Sequence, residues 1–263
     1  MFLLLSRIFK GSLILSCIFM IICGGPVDYS MLDQKDSLAY YNEKVFSGQC
    51  LEHYEGGSIK SELIYRDGRL HGSYTDYYEN GQIKSSGAFK NGERNGPWMR
   101  YFENGNTYLS GRFENGKKEG LWEYWYESGQ LEFKGNWKAD KQTGKWESWF
   151  PEGNLQSEVN WENGIQDGLE TKYYSSGNIR GKGMFKQGAQ TGEWIWYYED
   201  GKLESKENWK DGKPDGEVKV FYPNGKLKRL GHWIAGKKNG VFKSWDEQGI
   251  LTSAEVFKDG LKE

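Results

Sequence analysis

The sequence predicts an all-β protein: an elongated single-layer antiparallel β-meander of nine 24-residue hairpin repeats spanning 48–263. Three periodic features carry that prediction. A glycine recurs every 24 residues from Gly48 to Gly240, and a second follows nine residues after each, from Gly57 to Gly249. An aromatic stands seventeen residues after each leading glycine, from Tyr65 to Phe257. No insertion or deletion interrupts the series. A fixed period of this length marks a repeat architecture, in which each unit is too small to bury a core alone and borrows one from its neighbours.

The unit GSYTDYYENGQIKSSGAFKNGERN at 72–95 shows why each element forms. Asn80-Gly81 is a strong hairpin signal, because both central residues of a type I′ turn need positive φ. Placing that pair at a tight turn sets Tyr78 opposite Ile83, Tyr74 opposite Gly87 and Gly72 opposite Phe89, all on one face by the period-2 rule. The next unit sets Trp98 opposite Gly111 and Gly96 opposite Phe113, and the one after sets Trp122 over Gly135. Large rings are therefore expected to lie flat over bare backbone. A second turn, KNG at 90–92, ENG at 114–116 and KDG at 210–212, is expected to be the looser one, with Asp140 the single departure from glycine. Nine such units give roughly eighteen strands, and no 3.6-residue pattern competes with them.

Phrases such as GLWEYWYESGQLEFKGNW at 120–137 and GEWIWYYEDGKLESKENW at 192–209 resemble MORN repeats, in particular the bacterial MORN-variant form G-x-W-x-x-Y-Y-x-x-G-x-L. The resemblance covers 48–263. It implies a twisted single-layer sheet used for binding or scaffolding, and it extends to a bacterial family regarded as antitoxins of toxin–antitoxin systems.

The first 25 residues differ in kind. Arg7 and Lys10 precede an apolar run at 11–23, which is of signal-peptide length and shorter than the ~20 residues of a membrane span. Pro26 disfavours ordinary cleavage after Gly25. Cysteines end two apolar phrases, ILSC at 14–17 and MIIC at 20–23. Three readings stand: a lipoprotein signal acylated at Cys23 (with Cys17 the alternative), a cleaved secretory signal, or an uncleaved anchor. Each sends the repeats out of the cytoplasm, and the expected location is the cell envelope, periplasmic or surface. Residues 26–47 read as a linker with a half-repeat cap near 39–47, where Tyr41 falls in register with the seventeenth-position aromatics. Beyond the leader the only cysteine is Cys50, so the exported body has no intramolecular disulfide. Cys50 replaces the tryptophan or tyrosine of most units and reads as a small buried filler.

Net charge is −2 with both signs scattered, and no basic stripe suggests nucleic acid or anionic lipid as a partner. The three histidines, His53, His71 and His232, are separated in sequence, and the C-x-x-H spacing of Cys50 and His53 puts their side chains on opposite strand faces. No cofactor, metal or catalytic constellation is read, and the chain is expected not to be an enzyme.

One column stays unexplained by the ring-and-glycine face. Five residues after the leading glycine come Tyr77, Tyr101, Trp125, Trp149, Tyr173, Tyr197, Phe221 and Trp245, following His53 in the first unit. Alternation points them away from Trp98, with Lys84, Glu132, Gln156, Arg180, Glu204 and Lys228 as expected cross-strand neighbours. They either stiffen the sheet's second side or form a recognition strip. The favoured function is a non-catalytic scaffold for a protein partner at the cell envelope. A glycan is the second possibility, since one ring per two strands repeats at ~9.6 Å. An antitoxin-like inhibitor is the third, by resemblance. At the chain's end, the strand around 254–258 is expected to leave an open edge beside Val256 and Phe257, which invites weak self-association. The charges of Lys258, Asp259, Lys262 and Glu263 blunt it and leave a monomer as the alternative.

Overall fold

Two kinds of glycine turn alternate along the chain and set its strand lengths. A computed structural model describes residues 25–263. Over 48–263, eighteen strands from Gly48–His53 to Leu251–Lys258 run as one antiparallel meander, extended by two-residue pieces such as Glu93–Arg94 and Lys237–Lys238. The tight turns lie between units rather than inside them. Asn91 and Gly92 both have positive φ (54° and 89°), the type I′ geometry whose twist matches that of the flanking strands. At Asn80-Gly81, where a type I′ turn was expected, only the glycine has positive φ (84°). Gly81 N–H donates to the Tyr78 carbonyl (2.9 Å) and Tyr78 N–H to the Gln82 carbonyl (2.8 Å). Glu79, Asn80 and Gly81 thus form a three-residue loop ending in a left-handed glycine. The Asn80 side chain accepts from the Gln82 N–H at 2.9 Å, which explains asparagine there. An Asn-Gly pair suits both turn types, so the dipeptide alone does not separate them.

The longer loop changes the register beside it. Asp76 pairs with Ser85, but Tyr77 pairs with Ile83, and Lys84 is bulged out. Tyr78 is therefore not opposite Ile83, and the same shift recurs at this place in all nine units. Beyond the bulge the expected pairs Gly72↔Phe89, Tyr74↔Gly87, Gly96↔Phe113 and Trp98↔Gly111 are all present.

Glycines in the unit fall into two physical classes. The leading glycine sits where the pairing between units breaks register: Ser110 pairs with Glu123 and Arg112 with Glu119, leaving Gly120 in the bulge with φ 69°. A Cβ built there meets nothing within 4 Å, so backbone conformation rather than space selects glycine. Gly111 is the converse case. A Cβ on it would stand 2.2 Å from the Trp122 ring. The ring over each such glycine belongs to the following unit: Trp98 over Gly87, Trp146 over Gly135, Trp194 over Gly183 and Phe242 over Gly231. Trp122 thus pairs with Gly135 through the backbone, as expected, but its ring covers Gly111 instead. An indole is wider than the ~4.8 Å strand spacing and must lie over one neighbour, and the bulged side offers the bare backbone.

These rings make the core. Trp98 stands edge-on between Phe89 (5.6 Å, 87°) and Phe113 (5.7 Å, 89°), and Trp122 continues the stack from Phe113 (5.0 Å, 84°). Long cations cover it: the Arg94 guanidinium lies 4.6 Å from the Trp98 ring centre, and Lys118 Nζ lies 4.5 Å from both Trp122 and Trp137. In unit 168–191 a glutamate takes the tryptophan's place. Glu170 is only 7 % exposed, with its carboxylate 3.3 Å from Lys172 Nζ.

The segment before the repeats folds onto their first edge. Strands Asp33–Lys35, Leu38–Tyr41 and Lys44–Val45 form a small separate sheet, tied to the first inter-unit turn by Ala39 N–H to Gly68 carbonyl and Gly68 N–H to Phe46 carbonyl, both 2.8 Å. Tyr41 packs on Phe46 and Phe46 on Tyr65 (6.2 and 5.7 Å). Val27–Asp28 pairs in parallel with Cys50 and Leu51. At the other end, Leu261–Lys262 turns back to pair with Phe257 and Lys258, and Glu263 N–H donates to the Val256 carbonyl. The edge expected to be open beside Val256 and Phe257 is therefore paired there, because the final type I′ turn begins another strand.

Two measurements test this core. Trp122→Ala should cost ~3–5 kcal/mol in denaturant unfolding, and Gly111→Ala ~1–3 kcal/mol through overpacking. The pair should be strongly non-additive, whereas Gly135→Ala combined with Trp122→Ala should couple more weakly, because the two are backbone partners but the ring over Gly135 is that of Trp146. Equal coupling to both glycines would contradict the ring placement. Separately, burial pushes the Cys50 thiol up to about 11 and the Tyr65 hydroxyl up to about 12, from ordinary values of 9.0 and 10.0. Raised folded-state values mean the folded chain holds these protons more tightly, so their contribution is full below pH 9 and is lost as pH rises towards 12. The melting temperature should fall across that window, and less steeply in Cys50→Ala. An unchanged slope in that variant would contradict the thiol's share.

Candidate functional site

Each residue of the aromatic column ends the first strand of its hairpin, where the bulge fixes its neighbours. Tyr77 pairs with Ile83, Trp125 with Leu131, Trp149 with Leu155, Tyr173 with Ile179, Tyr197 with Leu203, Phe221 with Leu227 and Trp245 with Leu251, while Tyr101 pairs with Thr107. The expected polar partners Lys84, Glu132, Gln156, Arg180, Glu204 and Lys228 are the bulged residues instead. Three of them turn to a different ring: Lys84 lies 5.6 Å from Tyr78, Arg180 5.9 Å from Tyr174 and Lys228 5.1 Å from Tyr222. A one-residue bulge is enough to convert an aromatic–polar ladder into an aromatic–aliphatic one.

The column does lie on the face opposite Trp98. Three of its rings reach the preceding hairpin: the Tyr77 hydroxyl donates to Glu62 (3.1 Å), that of Tyr173 to Glu158 (2.9 Å), and Lys134 Nζ lies 5.2 Å from the Trp149 ring. Partial burial, followed by these bonds to carboxylates, raises the Tyr77 and Tyr173 hydroxyls above the ordinary phenol value and keeps them donors. All eight residues are half-buried, so packing takes part of each ring and solvent the rest. The same face carries two exposed apolar cross-strand pairs, Leu169 with Met184 (45 % and 44 %) and Val241 with Val256 (48 % and 43 %).

Sequence reasoning missed what the next residue does. Tyr54, Tyr78, Tyr126, Tyr174, Tyr198 and Tyr222 each donate their hydroxyl to the backbone carbonyl of the column residue 23 positions on, at 2.7–2.9 Å. The backbone of Tyr77, for example, is held by Tyr54. Net, such a bond contributes ~0.5–1.5 kcal/mol, and it fixes one loop against the next. Retention of tyrosine at this place in six units, with phenylalanine at 102 and 150, was the available signal.

The other chemistry-bearing side chains are placed as follows. Cys50 is fully buried and its thiol is pushed up to about 11 by that burial, as suits a small filler rather than a nucleophile. His53 Nδ1 lies 2.8 Å from Asp28 Oδ2, and the Asp28 carboxyl is held below its ordinary range by hydrogen bonds from Ser30 and then His53. His71 meets Asn91 at the next turn. Among the described residues no three His, Cys, Asp or Glu side chains converge, and no helix is long and apolar enough to cross a membrane. Cys23 and Cys17 lie outside the described residues.

Comparison with curated proteins gives no match. The family described as MORN repeat variant matches the chain at residues 70–91, 118–139, 142–163, 166–187, 190–211 and 214–235. Each match begins just before an inter-unit bulge and ends at the first residue of a type I′ turn, so it frames one hairpin. The hairpin at 96–113, outside these segments, keeps the same register. With six matched hairpins spanning half of its length and one register throughout, the chain belongs to the MORN repeat family in its variant form.

Proposed function

We propose that the chain is an exported, non-catalytic array that binds a protein partner at the bacterial cell envelope, tethered there by acylation of Cys23. MORN repeats are commonly binding repeats without catalysis, which supports a non-catalytic binding role. The observation that carries protein binding is the column of half-buried rings, one at the same place in each hairpin from Tyr77 to Trp245, seven of the eight paired with isoleucine or leucine. Aromatic and aliphatic side chains in a repeated row supply contact area at low entropic cost, and linear repetition suits an extended partner. The tyrosine bonds hold the strip in place before a partner arrives, which lowers the ordering cost of binding. The leader supports the envelope location, since Arg7, Lys10 and the apolar run at 11–23 have the layout of an export signal.

Crosslinking in intact envelopes, comparing the native chain with Trp149→Ala/Phe221→Ala, tests the strip. The double variant should stay folded and lose partner crosslinks by about tenfold or more, as expected when interface anchors are truncated. Undiminished crosslinks in a folded double variant would exclude the strip, and retention on polysaccharide in their place would favour a glycan. Metabolic labelling with a fatty acid should mark the protein and be lost in Cys23→Ser. Full-length chain found soluble in the cytoplasm with residues 1–23 intact would overturn the location and favour an antitoxin-like inhibitor.

A further inference from the structure

The ring-bearing face carries a second surface of different chemistry. A groove of about 410 Å³ crosses the strands of three successive units and is lined by Lys84, Arg94, Arg100 and Lys118, with Asp76 its single carboxylate. Among the described residues none of these four cations is in an ion pair. Rings hold them instead. Arg94 lies over Trp98 and Phe113 (4.6 and 5.2 Å), Lys118 lies over Trp122 and donates to the Tyr124 hydroxyl (3.0 Å), and Arg100 lies 5.5 Å from Tyr108. Asp76 accepts the Ser61 hydroxyl at 2.9 Å. In a chain of net charge −2, this is a local excess of positive charge in a recess, where low-dielectric walls focus its field.

A comparable groove of about 490 Å³ on the same face near the chain's end does not share the imbalance. There Arg229 and Lys238 are matched by Glu207 and Glu255, and Glu255 is further paired with Lys262 at 2.7 Å. The excess therefore distinguishes the first groove from the second.

We propose that the groove at Lys84, Arg94, Arg100 and Lys118 binds an acidic, extended peptide segment of a protein partner. This rests on the reading of the chain as a protein-binding array and adds a second contact to the aromatic strip on the other face. The two guanidinium groups suit carboxylates, which they can hold with paired N–H donors, and Lys84 and Lys118 supply point charges to either side. A narrow chain can enter a recess lined by these cations, whereas the plane of a bilayer cannot. The ring faces beneath are already covered by Arg94 and Lys118, which leaves no open platform for a sugar.

Fluorescence anisotropy with a labelled peptide of alternating aspartate and glutamate, titrated with the purified full-length chain, tests this. Binding should be saturable, weaken at high salt, and fall by about a hundredfold in Lys84→Glu/Arg100→Glu, where like charges now face the ligand. Arg100→Gln should give an intermediate loss with unchanged melting, and Arg229→Glu in the second groove should change nothing. Absence of saturable binding by the native chain would overturn the proposal. So would charge-reversed variants that bind equally well, or inorganic phosphate or phosphatidylserine vesicles that compete as strongly as the peptide. Because Trp149→Ala/Phe221→Ala leaves this groove intact, it should bind the peptide normally. If the peptide fails while partner crosslinks still depend on the strip, the groove proposal falls alone. If the peptide binds while the strip variant keeps its crosslinks, the strip falls alone.

Discussion

The structure depends on one contact repeated along the chain: an indole or phenyl ring lying over the bare backbone of a glycine in the unit before it. Trp122 over Gly111 is the representative case. Neither residue has a use for the other within its own hairpin. The ring needs a surface without a Cβ, and the glycine needs a cover for its exposed backbone. Because the two belong to different units, no hairpin can complete its own core, and stability is a property of adjacent pairs. The contact also explains the unbroken 24-residue period. On a sheet, one added residue flips every following side chain to the other face, and the ring would then miss its glycine.

Both margins of the sheet reinforce this pairwise logic. Along one, type I′ turns stack so that the Gly92 N–H reaches the Leu70 carbonyl and the Gly116 N–H reaches the Arg94 carbonyl, both from 22 residues earlier. Along the other, tyrosine hydroxyls reach forward by 23 residues to the next loop. The backbone groups that turns would otherwise leave to water are thus spent between units. The sheet's two sides are fixed with respect to each other, while its exposed side chains remain free to vary without disturbing the core.

That freedom is where binding chemistry can differ from unit to unit. On the ring-bearing face, glutamates at 170 and 207 replace the tryptophan and glycine of other units. The groove at Lys84, Arg94, Arg100 and Lys118 has more cations than carboxylates, whereas the groove near the chain's end has equal numbers. On the other face, the column from Tyr77 to Trp245 is nearly uniform, and its aliphatic partners are too. A repeated strip on one face and a local charged groove on the other are different instruments, one suited to extended contact and one to discrimination by charge.

The sequence by itself determined the architecture, because glycine and aromatic positions recur together and a period needs no tertiary information to be seen. It determined the pairs Gly96↔Phe113 and Trp98↔Gly111, the buried place of Cys50 and the face that holds Tyr77, since alternation along a strand is local geometry. Tertiary structure decided three things. Which Asn-Gly turn is type I′ depends on strand twist across the sheet, since the dipeptide fits either loop. The partner of Tyr77 became Ile83 instead of Lys84 because the three-residue loop forces a bulge, which no count of alternating residues reveals. The ring of Trp122 chose Gly111 over Gly135 because a ring broader than one strand must lean to one side, and only the packed sheet shows which neighbour lies open.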